Sequence, residues 1–269
     1  MNTDSTFQIG KDHIVCEDYA LNGNLQDRIT FAIVCDGCSA SPDVDFGARV
    51  LAMAARETLS YKLAIEDGIF EGVSPVLTSD RFGQITINKA RDICFPIRHL
   101  HPQALDATLL AAWVQNNTLS AYVYGDGVLV HRSKTGIKSV HIHLTSGAPD
   151  YLSYQLEPER MKGYGSLKDN YKEVWTSYNG IHDYKPFVPF VYESPVEEGD
   201  VIAMISDGIN SFRKSDSTPI EWTELVDEFT AYKTTEGQFV QRRIGAFKRK
   251  CLKEGITHSD DISIASIVI

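Results

Sequence analysis

The chain has 269 residues, 43% hydrophobic and 23% charged, with a formal net charge of −10, so it is large enough for one sizeable domain or two small ones and lacks the basic footprint of a nucleic-acid binder. No apolar run approaches the roughly 20 residues that cross a bilayer, and the start, Met1-Asn2-Thr3-Asp4-Ser5-Thr6, carries no basic or apolar leader, so no membrane association is expected. Five cysteines at irregular spacing fit reduced thiols and a cytoplasmic location.

Residues 7–20 read as an extended segment that enters a loop. Ile29 to Val34 is a continuous apolar, β-branched run, the pattern of a strand buried on both faces. Ser41-Pro42 signals a helix start, with Ser41 as cap. Val50, Leu51, Ala54, Ala55 and Leu59 then form one helical stripe that ends near Tyr61. Residues 62–82 read as a loop, and Ile85 to Leu100 as a helix that Pro96 disturbs. Ala107 to Val114 and Ser120 to Tyr124 read as strands around an Asn116-Asn117 hairpin turn. Gly125-Asp126-Gly127 and Lys134-Thr135-Gly136 read as further turns, which predicts an antiparallel meander through Leu144.

From Ser146 to Pro195 the pattern dissolves, and seven of the twelve tyrosines fall between Tyr151 and Tyr192. Val201 to Ser206 reads as a second core strand. Helices are predicted over Pro219 to Ala231 and Gln238 to Leu252, the second closed by Gly255. Asp260 opens a last strand, Ile262 to Ile269.

Both core strands end in the same dipeptide, Asp36-Gly37 and Asp207-Gly208. One Asp-Gly is ordinary turn chemistry. Two that each end a strand apolar on nearly every residue are harder to explain so, because hairpin turns join exposed, alternating strands. Carboxylates at the tips of buried strands have fixed positions at the rim of a sheet. Several brought together make a hard, oxygen-lined pocket suited to Mg²⁺ or Mn²⁺.

In chain order the acids run Glu17-Asp18, Asp36-Gly37, Asp106-Ala107-Thr108, Gly125-Asp126, Ser206-Asp207-Gly208 and Asp260-Asp261. This order, its spacing and the flanking strands resemble the protein phosphatase 2C family of metal-dependent serine/threonine phosphatases, over nearly the whole chain. Gly10-Lys11-Asp12-His13 followed by Cys16-Glu17-Asp18 is most similar to the divergent bacterial branch. The resemblance implies an α+β, four-layer αββα sandwich, in which two antiparallel sheets lie face to face with a helix pair outside each. It implies one domain over 1–269, with residues 146–195 as a flap beside the site.

It further implies two Mn²⁺ or Mg²⁺ ions. Asp36 would bridge them, the Gly37 carbonyl would hold one, and Glu17, Asp207 and Asp260 would complete the set. Asp18 would hold a metal-bound water. Two ions about 3.5–4 Å apart acidify such a water and clamp a phosphoryl group. The implied substrate is a phosphorylated protein, cleaved at phosphoserine or phosphothreonine.

The chain departs from the family pattern at several points. The phosphate-binding Arg falls at His13, and imidazole does not replace a bidentate guanidinium. His13 is retained as the phosphate-side contact or proton donor. The His that follows Asp-Gly is Cys38, the Gly-Asp-Ser turn is Gly125-Asp126-Gly127, and no Asp-His follows Leu144-Thr145. Asp106 is considered for a third metal, though its register is off. The substitutions at His13 and Cys38 motivate a second reading, a pseudophosphatase that uses the fold as a regulatory binding module.

Other features have rival readings. Cys35-Asp36-Gly37-Cys38 has the layout of a thiol redox site between strand and helix, or of half a zinc site. Both leave the acids unexplained, and Cys35 reads better as a small buried hydrophobe. His141 and His143 share a strand face, where solvated histidines outweigh a metal pair. The basic residues from Arg242 to Lys253 read as a solvated helix face. The tyrosine-rich stretch suits substrate recognition and core packing equally.

Overall fold

The computed structural model describes residues 1–167, 171–176 and 187–269, together with the main chain of 180–184. Its strands are β1 (Asn2–Gln8), β2 (Tyr19–Leu25), β3 (Ile29–Cys35), β4 (Leu109–Gln115), β5 (Thr118–Tyr124), β6 (Gly127–Ser133), β7 (Gly136–Leu144), β8 (Lys172–Thr176), β9 (Gly180–Tyr184), β10 (Phe190–Pro195), β11 (Val201–Ile205), β12 (Phe212–Arg213), β13 (Thr257–His258) and β14 (Ile262–Val268). The helices are α1 (Val44–Glu66), α2 (Ser79–Cys94), α3 (Pro158–Gly165), α4 (Trp222–Thr230) and α5 (Phe239–Glu254).

A five-stranded sheet runs β10-β5-β4-β3-β2, and a seven-stranded sheet runs β1-β14-β11-β6-β7-β8-β9. All pairings are antiparallel. Alternation along β3 shows how the layers form. Phe31, Ile33 and Cys35 face the core shared with α1 and α2, while Ala32 and Val34 enter the core between the sheets. Along β11, Ile202 and Met204 enter that same middle core. Val201, Ala203 and Ile205 face α4 and α5. Three cores therefore separate four layers, the αββα sandwich expected.

The predicted meander is broken at one point. β4 and β5 form a hairpin through Asn116 and Asn117, both left-handed at φ 51° and 56°, as a two-residue turn that matches strand twist requires. Gly125-Asp126, however, is no hairpin. The chain leaves one sheet at Tyr124 and enters the other at Gly127. Gly125 (φ 90°) packs on Thr108, and Gly127 (φ 133°) packs on Leu110 and the Ile205 carbonyl, so side chains fit at neither.

Helix bounds also differ from expectation. Ser41 does not cap α1; its hydroxyl donates to Asp106 Oδ2 at 3.0 Å. The helix starts after Asp43, which is left-handed at φ 59°, and continues to Glu66 because Leu63 and Ile65 extend the buried stripe. α2 begins at Ser79, capped by Thr78, and ends before Pro96. α5 takes its N-terminal partner from far away: buried Asp4 accepts from the Val240 and Gln241 N–H groups at 2.7 and 3.1 Å. Gly255 (φ 68°) closes it, as expected.

The segment 146–195 is more regular than its composition suggests. It carries α3 and supplies strands to both sheets. Tyr151, Tyr154, Tyr164 and Phe187 pack ring on ring. Tyr178 and the side chain of Tyr184 lie outside the described residues.

Candidate metal centre

Close main-chain packing brings the acid-bearing loops together. Gly208 lies against the main chain of Asp261, and Gly10 against that of Ser259 and Asp260, so closely that any Cβ would overlap backbone. At Gly37 a Cβ would stand 2.9 Å from the Glu17 carbonyl and 3.0 Å from Val44. These three contacts join the loops that carry Glu17-Asp18, Asp36, Asp207 and Asp260 at one rim of the two sheets.

Asp36 is tied down by Thr108. Its N–H donates to Thr108 Oγ1 at 3.1 Å, and its carbonyl accepts from the Thr108 N–H at 2.8 Å. Asp18 is buried and accepts from Ser206 Oγ at 2.7 Å; Ser206 Oγ in turn accepts from the Ser263 N–H at 2.9 Å. Thr108 thus fixes the main chain of Asp36, and the Ser206 hydroxyl holds the carboxyl of Asp18.

The electrostatics show the same convergence. Burial, then the charges of Asp18 and Asp207, push the Asp36 carboxyl well above the usual range. Burial pushes Asp18 up to about 7; Asp207 adds to this, and hydrogen bonds from Ser206 and Ser263 and with Asp36 oppose it. Burial, then Asp207, also raises Asp260. Asp126 rises for the same two reasons. Asp207 thus acts on each of Asp18, Asp36, Asp126 and Asp260. A cation among them would offset this repulsion.

Two orphaned atoms suit that need. Glu17 Oε2 and Asp126 Oδ1 are buried without a hydrogen-bond partner among the described residues. The donors are hard oxygens, which fits Mg²⁺ or Mn²⁺.

The residue next to Asp260 has a different role. Asp261 accepts from the N–H groups of Gly10 at 2.7 Å and Glu17 at 2.6 Å. It therefore braces the site. His13 sits on this brace: Nδ1 is 3.0 Å from Asp261 Oδ2 and 3.9 Å from Glu17 Oε2, and Nε2 is 3.4 Å from Asp260 Oδ1. Burial lowers its pKa, but Asp261, Asp260 and Glu17 outweigh that and raise it. His13 is beside the predicted ligands, with both ring nitrogens facing carboxylates.

Asp106 is fully engaged elsewhere. It accepts from Ser41 at 3.0 Å, Ser153 at 2.6 Å and Arg160 at 2.6 Å, which leaves it poorly placed to hold a third metal. It fastens α3 and the turn before it to the β4 entrance. Arg160 also stacks on Tyr154, 4.6 Å from the ring centroid.

Two carboxylates outside the expected set are Asp126 and Asp150. Asp126 sits in the sheet-switching turn. Asp150 accepts from buried Lys172 at 2.7 Å and from the Phe187 N–H at 2.5 Å. The Gly-Asp-Gly sequence marked the first; nothing local marked the second.

The redox reading loses support here. Burial raises the Cys35 thiol, the opposite of activation. The α1 N-terminus begins only at Val44, beyond Cys38. His141 is buried rather than solvated: Nε2 meets Asn210 Nδ2 at 3.1 Å, and the ring lies 5.1 Å from Trp222. The basic face of α5 is solvated as expected, with Arg243 paired to Glu228.

The family model described as Protein phosphatase 2C matches residues 9–247. No curated protein matches the sequence. Among solved structures, the fold is similar to the PPM Ser-Thr phosphatase MsPP from Mycobacterium smegmatis in complex with cacodylate, at 16% identity and TM-score 0.54, covering 100% of this chain and 98% of that one. It is similar to the PP2C phosphatase domain with a regulatory fragment of SpoIIE from Bacillus subtilis, at 14% identity and TM-score 0.54, covering 100% and 63%. The Mycobacterium tuberculosis serine/threonine phosphatase PstP/Ppp matches at 12% identity and TM-score 0.51, covering 98% and 96%.

Proposed function

Because the chain belongs to the protein phosphatase 2C family, we propose that it hydrolyses phosphoserine and phosphothreonine monoesters of a protein substrate with two Mn²⁺ or Mg²⁺ ions. The observation that carries this reading is the close packing at Gly10, Gly37 and Gly208, which joins the loops of Glu17-Asp18, Asp36, Asp207 and Asp260 at one sheet rim. Asp36, the Gly37 carbonyl, Glu17, Asp207 and Asp260 would hold the ions. Bound there, the ions would supply an activated water and offset phosphoryl charge.

The chain's own residues have the remaining tasks. Thr108 fixes Asp36, and Ser206 fixes Asp18, so neither carboxylate has to reorganise when a phosphoryl group arrives. His13, at the edge of the cluster, is assigned the phosphate-side contact. Residues 146–195, which reach Asp106 through Ser153 and Arg160, are assigned to the wall that a protein substrate meets. A cytoplasmic location belongs to this reading and suits the free thiols. No helix among the described residues is long and apolar enough to cross a membrane.

A second reading, a regulatory binding module of the same fold, is favoured by one feature. Both nitrogens of His13 face carboxylates, so the phosphate side lacks an uncommitted cation at that position. Hydrolysis of p-nitrophenyl phosphate and a phosphothreonine peptide in Mn²⁺ separates the two. Turnover well above an Asp36→Asn control supports the enzyme. Equal rates with retained metal binding support the module.

A further inference from the structure

Behind the acid-bearing rim, α4, α5 and the β12–β13 pair enclose a half-open cavity of about 290 Å³. Phe212, Phe229, Ile244, Phe247, Cys251 and Ile262 form its walls. Its mouth carries Lys11 and Lys248, both exposed, with His258 beside them. The volume lies near the lower end of small-molecule clefts.

Charge decides what would fill it. The chain has 36 acidic and 26 basic side chains, yet among the described residues no carboxylate lines this cavity. Lys248 Nζ donates to the neutral Gln8 Oε1 at 2.6 Å. The wall is strongly aromatic: Phe212, Phe229 and Phe247 stand edge to face at centroid distances of 5.0–5.9 Å. An aromatic ring entering between them would extend that arrangement. Its anionic group would meet the lysines at the water interface, where it need not be desolvated.

We propose that this cavity binds a small aromatic carboxylate, with the ring among the phenylalanines and the carboxylate between Lys11 and Lys248. The inference stands independently of the phosphatase reading. The cavity does adjoin the acid cluster: Gly10 lines it and packs on Asp260, and His258 Nδ1 donates to the Asp260 carbonyl at 2.9 Å. An occupant would thus press on the turn between β13 and β14 that carries Asp260.

The test uses the intact protein in EDTA, so that metal binding and turnover play no part. Amide chemical shifts and calorimetry follow 2-naphthoate and its neutral analogue 2-naphthylmethanol. The expected result is naphthoate binding, with shifts concentrated at residues 8–11 and 244–258, and about fivefold tighter than the alcohol. Lys248 lies on the surface, so Lys248→Glu is expected to keep the fold and to abolish the preference for naphthoate while the alcohol still binds. Lys11→Glu is expected to act in the same direction. Naphthoate no tighter than the alcohol, a preference untouched by both variants, or shifts centred elsewhere would overturn the proposal.

Discussion

Gly208 leaves no space for a side chain against the main chain of Asp261, and this contact joins two of the four acid-bearing loops. Gly208→Ala must push the Asp207 loop off the last strand. The expected cost is about 2–4 kcal/mol in stability. Mn²⁺ affinity is expected to fall by about tenfold or more, since Asp207 and Asp260 no longer keep their spacing. Denaturant melts and metal calorimetry check both; wild-type affinity in a destabilised variant would dissociate loop packing from the site.

Asp36 stands among carboxyls that repel it. Asp36→Asn removes one charge while keeping the acceptor and the main-chain bonds to Thr108. In EDTA at pH 8 the variant is expected to be more stable than wild type by about 1 kcal/mol. Added Mn²⁺ is expected to raise the melting temperature of wild type and to leave the variant unmoved. A variant less stable in EDTA would mean that Asp36 has a structural role.

Burial, then the neighbouring His143, lower the His141 pKa from 6.5 to about 4. The folded state therefore resists protonation that the unfolded chain accepts. Stability from this residue is complete above pH 6.5 and is lost as pH falls toward 4. Between pH 7.5 and 5 the loss is on the order of 2 kcal/mol. In His141→Gln that part of the pH dependence disappears, leaving the titration of the acids. Parallel stability–pH curves for the two proteins would contradict the assignment.

Asp106 joins Ser41, Ser153 and Arg160. Asp106→Ala is expected to cost about 2–3 kcal/mol and to speed amide exchange over residues 152–165. Metal affinity is expected to stay within about twofold, because these bonds use both oxygens elsewhere. A large loss of metal affinity would return Asp106 to the ligand set.

What could be read beforehand follows from where side chains are buried. β3 and β11 are buried on both faces, so their apolar runs stood out, and the Asp-Gly at each tip marked the centre. The sheet switch at Gly125-Asp126-Gly127 was hidden because two glycines around an aspartate look locally like any tight turn; only packing on Thr108, Leu110 and Ile205 distinguishes it. β8 and β10 are only partly buried, so composition alone resembles loop. Asp150 and Lys172 neutralise each other in the interior, a pairing 22 residues apart that no local pattern signals. The resemblance implies a ligand role for Asp260, whereas nothing local signals that its neighbour Asp261 braces the main chain at Gly10 and Glu17.

Anomalous diffraction from a crystal soaked in Mn²⁺ tests the central claim most directly. The account predicts manganese between the carboxylates of Asp36 and Asp207, with Glu17 and Asp260 completing the surroundings. Manganese bound only at the nearby His13–Glu17–Asp261 group, or none on this rim at saturating concentration, would contradict it.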